Sequence, residues 1–160
     1  MHYFTLEELT RSDTAVRLGL DNTPSPEHRH NLELLIAELL TPLRLAWEAR
    51  CRTEGWGSPA IRISSGYRSS ALNRAVGGVP TSAHCLGCAA DTIPVNRRLR
   101  EYKGFCREFL AGRPFGQLIS EGEHPDGTPR WIHLGYRSRE GRQRCEMLSQ
   151  RNGRFSPMTE

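Results

Sequence analysis

Ser82-Ala83-His84-Cys85-Leu86-Gly87-Cys88-Ala89-Ala90-Asp91 is the stretch on which the reading of this chain turns. It brings an imidazole, a glycine and a carboxylate into a short span. A second segment, Trp131-Ile132-His133-Leu134-Gly135-Tyr136, supplies another imidazole in an apolar, strand-like run. Two imidazoles and a carboxylate form the kind of three-ligand set that catalytic zinc uses, with a fourth position open to water. Either histidine taken singly is more simply a hydrogen-bonding residue of a loop or a buried strand. The compound pattern Ser-x-His-x-x-Gly-x-Ala-x-Asp, followed downstream by Trp-x-His, favours a metal site at His84, Asp91 and His133. Asp91 also interrupts an apolar run, where a carboxylate is costly unless paired or metal-bound.

Working outward, Ile61-Arg62-Ile63-Ser64 alternates and predicts a strand. It runs into Ser65-Gly66-Tyr67-Arg68-Ser69-Ser70 and a short helix to Val76, which Gly77-Gly78-Val79-Pro80 ends. Cys88 to Val95 is a short apolar strand. Asn96 is placed to cap a helix whose apolar face is Leu99, Tyr102, Phe105, Cys106, Phe109 and Leu110. Phe115 to Glu121 and Trp131 to Tyr136 form a hairpin with a long, turn-rich loop. Gln143 to Leu148 reads as a final strand, with Asn152-Gly153 as a turn. Toward the N-terminus, Thr5-Leu6-Glu7-Glu8 fits a capping box. Asp21 to Pro26 is a loop, and Ser25-Pro26 suits the start of a long helix. Leu32, Leu35, Ile36, Leu39, Leu43 and Trp47 give that helix one apolar stripe, which Pro42 either kinks or restarts. The element order predicts an α+β fold with a small antiparallel sheet flanked by helices. One domain spans 1–160, with a motif core over about 61–136 and a basic C-terminal segment over 137–160.

The 160 residues are 37% hydrophobic and 25% charged, the composition of a globular domain with a real core. No apolar run approaches the roughly 18 residues of a membrane span. Met1-His2-Tyr3-Phe4-Thr5 lacks a basic segment followed by an apolar one, so no signal peptide is expected. That implies synthesis in the cytoplasm and another release route to any substrate outside it. The net charge is +4, much of it in Arg97-Arg98-Leu99-Arg100 and between Arg137 and Arg154. Such charge is either a solvated face or an attraction to an anionic polymer such as nucleic acid or bacterial cell wall. Nucleic acid ranks low because no interleaved aromatic motif accompanies the charge. The five cysteines cannot all pair, which suggests reduced thiols. Cys85-x-x-Cys88 could be half of a zinc ribbon or a redox pair. No second close pair completes a ribbon and the motif precedes a strand, so both are taken as small packing residues.

Ser64-Ser65-Gly66-Tyr67-Arg68-Ser69, the His84 to Asp91 pattern, Gln117-Leu118-Ile119-x-Glu121 and Trp131-Ile132-His133 together resemble the D-Ala-D-Ala carboxypeptidase family of zinc peptidases. That family shares its metal-site architecture with lysostaphin-type enzymes and the hedgehog signalling domain, and one branch includes phage endolysins. The resemblance runs from about Phe4 to Tyr136. It implies Zn2+ held by His84, Asp91 and His133, and a monomer that hydrolyses stem peptides of bacterial peptidoglycan, as a carboxypeptidase or an endopeptidase. It implies Arg68 beside the scissile carbonyl, with Tyr67 and Ser82 in substrate binding; Ser82 could equally just cap its turn. Many relatives place an acid three positions before the last ligand, where this chain has Arg130, which cannot accept a proton. In the endolysin-like branch a glutamate closes the preceding strand instead, and Glu121 fits that role if it shares a sheet face with His133. Glu123, His124 and Asp126 are reserves, each more simply a solvated loop residue. The competing expectation is a catalytically inactive wall-binding or phage structural module with the same fold.

Overall fold

Capping chemistry sets where the helices begin. In the computed structural model, which describes residues 2–158, Thr5 Oγ1 accepts the Glu8 amide at 3.1 Å and opens α1 (Leu6–Thr10). Ser12 accepts the Ala15 amide and opens α2 (Asp13–Leu18), an element too short for periodicity to reveal. Ser25 accepts the His28 amide, and Pro26 occupies the first turn of α3 (Pro26–Leu34). Each such cap contributes about 1 kcal/mol. The apolar stripe then continues through a π-helical stretch, Leu35–Leu40, into α4 (Thr41–Glu54). Proline lacks an amide hydrogen and its ring excludes the carbonyl four residues back. The wider π turn, in which the Thr41 amide reaches the Ile36 carbonyl, absorbs that misfit without the chain leaving right-handed helical dihedrals.

Six strands follow: β1 (Ile61–Ser65), β2 (Ala89–Pro94), β3 (Gln117–Glu121), β4 (Trp131–Gly135), β5 (Glu146–Arg151) and β6 (Arg154–Pro157). They form one sheet in the order β1-β2-β4-β3-β5-β6. Between β1 and β2 lies α5 (Ser70–Ala75), and between β2 and β3 lies α6 (Leu99–Leu110). Asn96 does not cap α6 itself; its Oδ1 accepts the Arg98 amide in the turn before the helix. All neighbouring strands are antiparallel except β3 and β5, which run parallel. The exception has a simple cause. β4 ends opposite Gln117, where β3 begins, and β5 starts beside the same residue. Residues 136–145 are consumed in crossing that end of β3, which is why the strand starts at Glu146 rather than Gln143. Asn152 and Gly153, with φ of 51° and 75°, form the turn expected there and lead into β6.

The core fills one face of the sheet. Trp47 is fully buried, with the rings of Trp56, Tyr102 and Phe105 at centroid distances of 5.6, 5.1 and 5.1 Å. Ala90, Leu118, Ile132 and Leu134 meet this cluster from the strands. Residues alternating with them, among them Asp91, Ile119, Glu121 and His133, face the other way and floor a cleft of about 1180 Å³. A bulge between Ile63 and Ser65 shifts the pairing of β1, so that Ser65 rather than Ser64 stands opposite Asp91. The following turn, Gly66 to Arg68, then lines the cleft.

Candidate active site

Asp91 on β2 and His133 on β4 are direct register partners, which places both side chains on the cleft face. His84 arrives from a 3-10 turn, Ala83–Leu86, immediately before β2. Ser82 Oγ accepts the His84 amide at 3.2 Å and so caps that turn while lining the cleft. Gly87 ends the turn with φ of 74°, and a Cβ there would stand 2.4 Å from the His28 carbonyl oxygen of α3. Left-handed backbone and close approach both require glycine at this place.

His84 Nε2 and His133 Nδ1 lie 3.3 and 3.1 Å from the same oxygen, Asp91 Oδ1. One donor atom from each residue falls within 4.8 Å of the other two, and all three side chains are buried. His84 Nδ1 is 2.8 Å from the Gly66 carbonyl oxygen. A carbonyl only accepts, so Nδ1 donates here, which leaves Nε2 as the ring nitrogen that faces the cluster. Burial by itself raises the Asp91 carboxyl, but the two imidazoles outweigh it and hold the group far below the usual carboxylate range. Nitrogen and oxygen donors that converge in this way from three buried side chains fit a divalent metal.

Glu121 ends β3 opposite Trp131, two positions along from the Ile119–His133 pair. It therefore shares the sheet face of His133 and lines the cleft. Burial raises its pKa, and the negative charge of Asp91 raises it further, against lowering by His133, Trp131 and Arg68. The Trp131 indole N–H is close enough to act on this carboxyl, yet it makes no hydrogen bond of acceptable geometry. Arg68 reaches the cleft from the turn after β1, its amide held by the His84 carbonyl at 3.1 Å. Its Nη1 donates to Asn73 Oδ1 at 3.1 Å, and its Nε is buried without a partner. Tyr67 is 7% exposed and packs against the His28 ring, so it forms part of the cleft wall rather than a projecting contact.

The loop after β3 differs from the expectation at one acid, Glu123. Glu123 is not solvated: its carboxylate is fully enclosed by Lys103 Nζ at 2.7 Å, Arg151 Nε at 2.8 Å and Ser149 Oγ at 2.9 Å. Burial opposes ionisation, but these partners, Lys103 chiefly, hold its pKa down to about 2. His124 and Asp126 are exposed, and none of the three lines the cleft. Cys85 and Cys88 are free thiols whose pKa values are raised by burial.

Two residues that hold Arg68 have no role in the sequence reading. Asn73, 3% exposed on α5, also donates its amide to the Val79 carbonyl at 2.9 Å. Gly78 packs against both, since a Cβ there would meet Asn73 Oδ1 at 2.0 Å and Arg68 Nη1 at 2.8 Å. The only signal for either is a polar residue on a short helix and a glycine after it.

Among known families, the family model described as Peptidase M15 matches residues 2–135. No curated protein matches the chain.

Proposed function

The chain belongs to the peptidase M15 family, and from that premise we propose that it is a zinc-dependent hydrolase of peptide bonds in the stem peptides of bacterial peptidoglycan. The family is one of metal-dependent peptidases, and the buried His84–Asp91–His133 cluster has the donor set and spacing that could hold a metal ion. The observation that carries the proposal is the convergence of that triad with Glu121 and Arg68 on one face of the sheet, in one cleft.

Each residue then has a chemical task. His84 Nε2, His133 Nδ1 and Asp91 would hold the ion. Zinc bound there supplies Lewis acidity that brings the pKa of a water to about 7. Glu121, on the same sheet face as His133, takes the proton from the attacking water and passes it to the leaving amine. The Arg68 guanidinium donates to the carbonyl oxygen as negative charge develops there. Ser82 and Tyr67 shape the wall against which the peptide lies.

Digestion of purified sacculi by the zinc-loaded protein, followed by mass spectrometry of the released muropeptides, tests the proposal and identifies the bond. New amino and carboxyl ends within the stems are expected. Intact stems after prolonged incubation would overturn it, and wall binding without cleavage would favour a binding module instead.

A further inference from the structure

Residues 136–145, which carry the chain from β4 across the end of β3, lie beyond the part matched by the family model. This crossing is stapled in place. The Ser138 amide donates to the Arg142 carbonyl and the Gly141 amide to the Ser138 carbonyl, each at 2.9 Å. Gln143 Nε2 donates to the Tyr136 carbonyl at 3.1 Å, and the Cys145 amide to the Phe115 carbonyl at 3.0 Å. The segment carries four arginines against one glutamate. Arg137 is engaged by Asn31 Oδ1 at 2.7 Å. Arg139, Arg142 and Arg144 are exposed and line the cleft that holds the metal triad. None of their guanidiniums has a hydrogen bond or an ion pair among the described residues. Glu140, the segment's single acid, is exposed; hydrogen bonds within the turn, and then the charges of Arg144 and Arg142, lower its pKa, so it offsets part of the positive charge and leaves an excess.

A net positive charge held on a braced loop at the edge of a cleft attracts an anion. A planar guanidinium also matches the geometry of a carboxylate, with paired donors facing paired acceptors. We propose that the Arg139–Arg144 turn is a subsite for a free carboxylate of the substrate peptide, away from the scissile bond. By it the protein selects stems whose carboxylates are free over stems in which they are amidated. This specificity rests on the stem-peptide reading above and adds to it.

Two stem peptides that differ only in one side carboxylate, free or amidated, provide the test. Expected for the zinc-loaded protein is a kcat/KM about tenfold higher on the free acid, expressed in KM and eroded by added salt, because exposed charges are screened. In the triple variant Arg139→Gln, Arg142→Gln, Arg144→Gln, the ratio between the two peptides should fall toward one, with zinc content and melting temperature unchanged. A preference that persists in the triple variant, or none in the parent protein, overturns the subsite. If neither peptide is cleaved, the stem-peptide reading has failed, and calorimetric binding of the same two peptides judges the subsite by itself. Tighter binding of the free acid, lost in the triple variant, supports it; equal binding overturns it. A single-stranded oligonucleotide that displaces the free-acid peptide more strongly than inorganic phosphate does would also overturn it, in favour of a polyanion surface.

Discussion

Arg68 sits at the tip of a turn, and its aim depends on Asn73 and on the absence of a side chain at Gly78. Gly78→Ala should push the guanidinium aside without touching the metal ligands. A displacement of about 1 Å at a catalytic group can cost on the order of 10²-fold. Turnover should therefore fall by roughly that factor while zinc content and fold are retained; normal turnover would remove Arg68 from the reaction or show that the loop yields. Glu121→Gln keeps shape and deletes the proton acceptor, so turnover should drop about 10²- to 10⁴-fold with zinc still bound. His133→Ala should instead lose zinc and turnover together, and full metal occupancy in that variant would refute the ligand set. Metal analysis and kinetics on the same preparations separate these cases. At this scale the convergence of His84, Asp91 and His133 was legible because their spacing is distinctive. Asn73 and Gly78 were not, because an asparagine on a short helix and a glycine behind it look like ordinary punctuation until the chain folds back on Arg68.

Among the elements, the loop joining β3 to β4 is fixed by charge. Glu123 ties it to α6 through Lys103 and to β5 through Arg151 and Ser149. Because Lys103 is itself only 6% exposed, Glu123→Gln leaves a buried ammonium without its counter-charge, a change that typically costs about 3–5 kcal/mol. The pH dependence follows from the depressed pKa. Its contribution is fully present above the ordinary glutamate value near 4.5 and is lost as pH falls toward about 2. Denaturation of the two proteins as a function of pH should show a gap that is constant at neutral pH and closes through that window. A gap independent of pH would show that packing, not charge, is the cause. The sequence placed Glu123 in solvent because nothing local reveals that β5 and α6 both close over it. For the same reason the parallel pairing of β5 was not foreseen: it follows from where β4 ends in space, not from the composition of β5. The helix caps were legible, since Thr5 and Ser25 act within four residues of themselves.

For the molecule as a whole, metal and stability are coupled, because an ion held by His84, Asp91 and His133 binds the folded chain in preference to the unfolded one. Zinc at about a thousand times its dissociation constant should add about 4 kcal/mol. For a domain of this size that raises the melting temperature by on the order of 10 °C. Chelation should reverse the shift, and an unchanged melting curve would mean the ion is not held by the folded site. The pairing of Asp91 with His133 has a consequence for folding as well. Strand side chains alternate, so a slip of one residue between β2 and β4 would send one of the two to the opposite face. Only the correctly aligned strands can then close around an ion. Metal uptake would then act as a proofreading step on strand alignment, stabilising chains with the native pairing and leaving misaligned ones without that gain.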